Sequence, residues 1–142
     1  MAFKFGKNYR LKISDMATTP TFSQVGGEGT LSYKATTDKI DISSKDDGQT
    51  KSVASGQSDR MITVNGVSNL PDTGLSNVAT AFEAGTAVNV QIIDNTTGTP
   101  TNKFAGSCYV FNLSQDFTNN QAAKYSFDLQ LAGAPTTNLL FT

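Results

Sequence analysis

A long alternating stretch early in the chain sets the tightest limit on what this sequence can fold into. Within residues 25–48, apolar Leu31 and Tyr33 alternate with polar residues, and after a phase slip at residues 37–38 the apolar series resumes at Ile40. This period of two is typical of a β-strand with one buried face. Because ordinary strands contain about five or six residues, we expect a bent or bulged strand whose overhang another surface must cover.

Further alternating runs predict a mainly β protein. We expect strands at residues 9–13, 59–67, 87–93, 104–117 and 123–132. The last two form the clearest pair, because a polar turn joins them and bulky residues recur at every second position. The residues that we expect on the core side of this pair are Tyr109, Phe111, Leu113, Tyr125, Phe127, Leu129 and Leu131.

One short helix interrupts the β pattern. Leu75, Val78 and Phe82 recur at helical spacing, after breaker and cap candidates at residues 71–73 and before a stop at Gly85. A helix of about ten residues is too short to persist alone in water, so its apolar face must dock on the sheet. We expect Leu75, Val78 and Phe82 to form that contact, with Phe82 at its centre.

Three segments lie outside the predicted elements. Residues 1–8 are basic and aromatic, and form either a frayed terminus or an arm that packs on a neighbour. Residues 48–58 are polar, with Val53 as their hydrophobic anchor, and we expect an exposed loop there. Residues 133–142 follow a Gly-Ala-Pro break and end in an apolar tail. That C-terminal arm is either folded onto its own domain or donated to a neighbour.

Composition fits one domain and removes several functional classes. The chain has 142 residues and a net charge of −1, which argues against a basic nucleic-acid-binding domain. It has no histidine and one cysteine, Cys108, so neither an internal disulfide nor a Cys/His zinc site can form. Nothing marks a nucleophile with its base, and we expect neither enzymatic activity nor a cofactor. Without a signal peptide or a long apolar run, we expect folding in a cytoplasm and no membrane insertion.

The order of motifs in the first half is that of a known family. A glycine-lysine lead at residues 5–13 precedes the long strand, which ends in the Asp-Ile-Ser-Ser-Lys-Asp turn at residues 41–46. A Ser-Gly pair at residues 55–56 and a strand at residues 60–67 follow. In these motifs the chain resembles the major tail (tail tube) proteins of long-tailed phages, and its second half resembles them in the order of elements.

The resemblance implies an architecture and a function. The expected fold is a β-sandwich or partial barrel with one short flanking helix, whose long strands join a β-barrel tube in a hexameric ring. The rings stack through loops and terminal arms. The implied protein is a structural virion component of the phage tail, assembled in the bacterial cytoplasm around a tape measure protein. Its further partners are tail terminator and tail tip proteins, and DNA that passes through the tube without specific binding.

This function would place two sets of residues at surfaces. A conduit must not bind its cargo, so acidic residues are expected on the inner wall, where they repel DNA weakly over about 8 Å. The candidates for the inner wall are Asp41, Asp128, Asp38 and Asp116. The candidates for contacts between subunits are Phe3, Phe5, Val53, Leu139, Leu140 and Phe141.

Two other classes remain open at this point. One is the tube protein of a contractile injection or type VI secretion system, which shares the architecture. The other is a carbohydrate-binding β-sandwich module. Such a module usually displays aromatic side chains, whereas we predict that nearly all the aromatic residues of this chain face its core.

Overall fold

A curled antiparallel sheet with one helix makes up the fold. The computed structural model describes residues 6–15, 21–96 and 98–141. Within them the strands are Tyr9–Ser14 (β1), Phe22–Gln24 (β2), Glu28–Asp41 (β3), Val53–Val67 (β4), Val88–Asp94 (β5), Thr101–Asp116 (β6), Lys124–Leu131 (β7) and Thr137–Asn138 (β8), and the helix is Thr73–Ala84 (α1). Short 3-10 turns lie at Gly6–Asn8 and Lys45–Asp47.

The sheet curls without closing. Its strand order is β2-β1-β5-β6-β7-β4-β3, and β8 pairs with β6. The curl brings β3 back towards β1, where Glu28 of β3 accepts a hydrogen bond from the Leu11 amide at 2.9 Å. It also places the Tyr33 ring of β3 5.3 Å from the Phe104 ring of the central strand β6. Within the described residues no hydrogen-bonded ladder joins β1 to β3. A seam therefore remains between these two strands.

One face of the sheet forms the core, and α1 covers part of it. Its fully buried side chains include Leu11, Ile62, Phe104, Phe127 and Leu129, which come from four different strands. Adjacent strands present these residues in register, as where Ile62 lies opposite Leu129. The strands at residues 9–13, 87–93, 104–117 and 123–132 are confirmed, with shifts of one to three residues at their ends. The strand at residues 59–67 is also confirmed, but it begins six residues earlier, at Val53.

The predicted limits of the helix are confirmed, and two of its three predicted docking residues are buried, but the third is not. The Asp72 carboxylate caps the first turn by accepting from the Gly74 amide at 3.0 Å, and left-handed Gly85 ends the helix. Leu75 and Val78 are buried together with Gly74 and Ala81. The expectation that Phe82 lies at the centre of this contact is wrong, because its side chain is 44% exposed. Phe82 lies four residues after Val78 and therefore on the same side of the helix, but in the last turn before Ala84, where its side chain remains partly in solvent.

The predicted core face of β6 is also wrong over most of its length. Cys108 and Val110 point inward, whereas Tyr109 is 41% and Phe111 47% exposed. Pairing with β7 decides the face, because Val110 lies opposite the buried Leu129. A bulge follows between Phe111 and Ser114, and beyond it Leu113 packs against the core as predicted.

The long β3 strand leaves the body of the sheet as a two-stranded hairpin. Pairing between β4 and β7 ends at Met61 and Gln130, while β3 and β4 remain paired as far as Asp41 and Val53. We call residues 35–60 the β3–β4 hairpin; every residue from 35 to 46 is exposed. The expected overhang and irregularity are confirmed, with a register shift between Thr37 and Lys39. The second half of the predicted 48–58 loop is wrong, because β4 already begins at Val53.

Candidate assembly surfaces

The tip of the β3–β4 hairpin exposes three aliphatic side chains. Ile40, Ile42 and Val53 are each about half exposed. Two strands alone are marginally stable in water, so this hairpin depends on local hydrogen bonds unless another surface covers it. The Ser43 hydroxyl makes two of these bonds, one with the Ser52 carbonyl at 3.1 Å and one with the Ser52 amide at 2.7 Å. The tip thus combines a defined backbone with uncovered apolar surface.

Two of the predicted inner-wall aspartates belong to this hairpin. Asp41 accepts a hydrogen bond from the Ser43 amide at 2.9 Å, and this bond lowers the pKa of the Asp41 carboxyl. Lys51 Nζ lies 3.9 Å from the other carboxylate oxygen. Asp38 is exposed opposite the irregularity at Gly56. Both carboxyls therefore lie on the exposed surface of the hairpin.

The other two aspartates lie elsewhere. Asp128 is on the sheet face opposite the core, where it accepts a hydrogen bond from Asn112 Nδ2 at 2.9 Å and pairs across strands with Phe111. Asp116 is exposed at the end of β6, opposite Lys124. The four predicted residues do not form one cluster. Ser32 of β3 lies in the same cross-strand row as Asp128. Asp41 follows Ser32 by nine residues, so about 30 Å of strand separates Asp41 from Asp128.

A groove follows the seam between β1 and β3. We call it the seam groove, and its volume is about 700 Å³. Its apolar lining consists of Tyr9, Leu31, Tyr33, Ile92, Leu140 and Phe141. Lys7, Arg10 and Glu28 supply its charged groups. The groove exists because the curled sheet brings these two strands together without pairing their backbones.

A buried carboxylate links the two sides of the seam. Glu28 of β3 accepts from Arg10 Nε at 3.0 Å and from the Leu11 amide at 2.9 Å, both on β1. Its side chain is 5% exposed, and burial raises the pKa of Glu28, although both hydrogen bonds oppose this shift. Arg10 also donates to the Val25 carbonyl at 2.8 Å. One side chain thus replaces the missing backbone ladder.

The same network fixes the turn before β3. The Gly26 amide donates to Asp72 Oδ2 at 2.7 Å, and the Tyr125 hydroxyl donates to the Gly26 carbonyl at 3.1 Å. Burial, with the nearby carboxylates of Glu28 and Asp72, raises the pKa of Tyr125 to about 12. Sequence reasoning missed this network, because isolated polar residues on four separate elements produce no periodic signal.

The terminal contact candidates fall into two groups. Phe3 and Phe5 lie outside the described residues. At the other end, β8 pairs with β6 of its own chain, Leu139 donates its amide to the Lys103 carbonyl, and Leu140 packs against the core. The tail is therefore held on its own domain, while Phe141 remains 88% exposed beside the seam groove.

The described part of the chain contains no cluster of three or more Cys, His, Asp or Glu residues able to hold a metal ion. It also contains no helix that is both long enough and apolar enough to cross a membrane. The surfaces that stand out are thus the hairpin tip, the seam groove and the sheet face that carries Asp128.

Comparison with known families identifies the chain. A family model described as phage tail tube protein matches residues 4–137. The chain belongs to the phage tail tube protein family. It is accordingly a structural protein of the tail and not an enzyme. None of the curated protein sequences is detectably similar to this tail tube protein.

Solved structures share its fold at low sequence identity. The tail of an empty gene transfer agent particle, refined with C6 symmetry, matches with a TM-score of 0.80 and 19% identity, covering 96% of this chain and 99% of that one. The SPP1 tail tube matches with a TM-score of 0.76 and 13% identity, covering 97% and 83%. The anti-feeding prophage baseplate matches with a TM-score of 0.66 and 8% identity, covering 94% of each chain.

The prediction that nearly all the aromatic residues face the core is wrong, because Tyr109, Phe111 and Phe117 are exposed. Aromatic burial therefore does not exclude a carbohydrate-binding module. The family match, rather than aromatic burial, therefore favours the tail tube over the binding module.

Proposed function

We propose that this tail tube protein forms hexameric rings that stack into a hollow tube, assembles around a tape measure protein, and conducts the genome during ejection. The observation that carries the proposal is the β3–β4 hairpin, which leaves the sheet and exposes Ile40, Ile42 and Val53. Uncovered strand edges and apolar patches invite association, so a protein retains them where association is their use. The C6 symmetry of the gene transfer agent tail supports a six-fold ring.

The inner wall of this tube would consist of the longest strands. β3, β4 and β6 have 14, 15 and 16 residues, and with β7 they are adjacent in the sheet. Joining the free β3 edge to another subunit would remove the exposed edge of the sheet. On this proposal Asp128 faces the channel from the sheet, Asp41 and Asp38 line the channel towards the hairpin tip, and Asp116 lines it towards the opposite end of the sheet.

Contacts between subunits would use the apolar residues at the hairpin and the termini. These residues are Phe3, Phe5, Val53, Leu139, Leu140 and Phe141. Tail terminator and tail tip proteins would bind the two ends of the finished tube. Passing DNA would touch the wall only transiently, because like charges on the wall and the phosphates repel.

Electron microscopy of the purified protein tests the proposal. Rings or hollow tubes are expected in negative stain, at high concentration or after addition of a tape measure protein. Asp41→Lys with Asp128→Lys should leave tubes intact while reducing DNA delivery, whereas Glu83→Lys on the exposed side of α1 should change neither. Particles that stay monomeric under all these conditions would refute the tube, and normal infectivity of the double variant would refute the wall assignment.

The tube of a contractile injection or type VI secretion system remains the second candidate. Its support is the shared fold with the anti-feeding prophage baseplate, and fold alone does not separate the two kinds of tube. Effector proteins that co-purify with stable free rings would favour the secretion system. Saccharide affinity of a strictly monomeric protein would favour the binding module.

A further inference from the structure

We propose that in the free subunit residues 1–5 dock along the unpaired edge of β3 and cover the seam groove, and that ring formation displaces them. Residues 1–5 precede the described part of the chain. Their displacement rests on the proposed tube, in which a neighbouring subunit takes the same edge of β3. Their docked position concerns a single chain and does not depend on the tube.

The outer edge of β3 is a surface that a free subunit has reason to cover. β3 is the last strand of the sheet, and among the described residues only β4 pairs with its backbone. An unpaired edge of 14 residues is a template for pairing with other chains, and native proteins cover or blunt such edges. Apolar surface lies beside it, because Leu31, Tyr33 and Phe141 line the seam groove and Phe141 is 88% exposed. A segment that covered both the edge and the groove would stabilise the free subunit.

The topology directs the chain that precedes β1 along this edge. Each step from β1 through β5, β6, β7 and β4 to β3 is an antiparallel pairing, and this odd number of reversals leaves β1 and β3 running in opposite directions. Glu28 at the start of β3 lies beside Leu11 of β1, so the residues before β1 pass those that follow Glu28. Gly6 and Lys7 accordingly line the seam groove. Residues 1–5 therefore join the described chain at the groove itself.

The reach and the pattern of the segment fit the edge. With extended steps of about 3.3 Å and 3-10 steps of about 2 Å, Phe5 lies about 16 Å before Leu11, and Tyr33 lies about 16 Å beyond Glu28. Phe5 thus falls level with Tyr33.

Phe3 and Phe5 alternate with Lys4, so an extended segment puts both rings on one side, where they would cover the apolar walls of the groove. Lys4 would then lie level with Lys34 on the opposite side. This like-charge pair weakens the docking, so a neighbouring strand can displace the segment.

Disulfide formation in dilute, unassembled protein tests the docked position. Ala2→Cys combined with Thr36→Cys joins two residues that the same register places level with each other, and oxidised glutathione should close a disulfide within one chain. The product should run as a monomer of altered mobility on non-reducing gels. The matched control combines Ala2→Cys with Thr118→Cys, because Thr118 is exposed like Thr36 but lies beyond the far end of β6, and it should give no such product. The native Cys108 is buried and should not compete.

Dimers linked through the cysteines of Ala2→Cys and Thr36→Cys would place the segment on a second copy. Absence of any disulfide would leave the edge of β3 uncovered. Either result would overturn the inference.

The same disulfide tests the displacement. A segment bonded to β3 cannot leave its edge, so the oxidised variant should form no tubes at concentrations at which the wild type assembles, and dithiothreitol should restore assembly. Only molecules with a free edge are competent to join a ring, which is why locking the segment should remove assembly and not merely slow it. Normal tubes from the oxidised variant would overturn the displacement and leave the proposed tube standing. A wild-type protein that never polymerises would overturn the tube and the displacement together, while the disulfide in the free subunit would still decide the docked position.

Discussion

Glu28→Ala is the substitution that best tests the account of the seam. The Glu28 carboxylate accepts hydrogen bonds from the Leu11 amide and from Arg10 Nε, and its side chain is 5% exposed. Among the described residues, these two are the hydrogen bonds that link β1 directly to β3. The substitution should therefore destabilise the fold and loosen the seam groove without changing the hydrophobic core.

The expected loss of stability is about 2–4 kcal/mol. A buried amide left without an acceptor costs about 1–3 kcal/mol, and a lost hydrogen bond to a charged group about 1.5–3 kcal/mol. The sum is reduced because Arg10 keeps its bond to the Val25 carbonyl, and because its side chain is 29% exposed and can be hydrated. Small domains are stable by about 5–15 kcal/mol, so this loss would be a large part of the total.

Glu28→Gln separates the charge from the hydrogen bond, because its amide oxygen can still accept from the Leu11 amide. The difference in stability between Glu28→Gln and the wild type should depend on pH. Burial raises the pKa of Glu28 above 4.5, so the stability linked to its titration is complete below the unfolded-state pKa and declines as pH rises through the folded-state pKa. The cost of Glu28→Gln relative to wild type should thus be greater near pH 4 than near pH 7.

Urea denaturation of the unassembled protein, followed by circular dichroism at several pH values, would measure both effects. Arg10→Ala and the double variant complete a mutant cycle, in which a coupling energy of about 0.5–3 kcal/mol is expected between contacting residues. A loss below about 0.5 kcal/mol for Glu28→Ala, the usual range for surface substitutions, would refute the reasoning. A pH trend of the opposite sign would refute the assignment of the raised pKa to burial.

Three further predictions concern packing. Gly66→Ala should lower stability by about 1–3 kcal/mol, because its new Cβ would clash with the Gly27 carbonyl oxygen. Gly133→Ala, where the new Cβ would meet open space, should be near neutral in thermal unfolding. Phe127→Ala should lower the free energy of unfolding in urea by about 3–5 kcal/mol and Phe82→Ala by about 1 kcal/mol or less; equal losses would contradict the exposed position of Phe82. Burial raises the pKa of the Cys108 thiol to about 12, so iodoacetamide at pH 8 should label it only after unfolding.

The sequence predicted those elements whose signal is local. Alternation located the strands, and the chemistry of Asp72 and Gly85 located both ends of α1, because capping depends on residues next to the helix. The irregularity at residues 37–38 was also visible, since a change of phase in the alternation marks a change of pairing.

Errors arose where distant partners decide the structure. Both faces of β6 carry apolar residues, so the sequence pattern alone could not show which face is buried. Pairing with β7 decides it and leaves Tyr109 and Phe111 on the exposed face. The polar start of β4 lacks a buried face, because the hairpin has solvent on both sides. The Glu28 network joins residues up to 99 positions apart, as between Gly26 and Tyr125, and no local rule anticipates it. The positions of the four aspartates relative to a channel stay predictions.

The one-sided placement of the hairpin gives the subunit a direction. The tip lies at the far end of β3, and the seam groove opens at the near end. A stack of rings whose hairpins all point the same way would display free hairpin tips at one extremity only. A factor that binds this extremity must cover Ile40, Ile42 and Val53, whereas a factor at the other extremity meets none of them. The polarity of the tail would then be encoded in a single strand of a single protein.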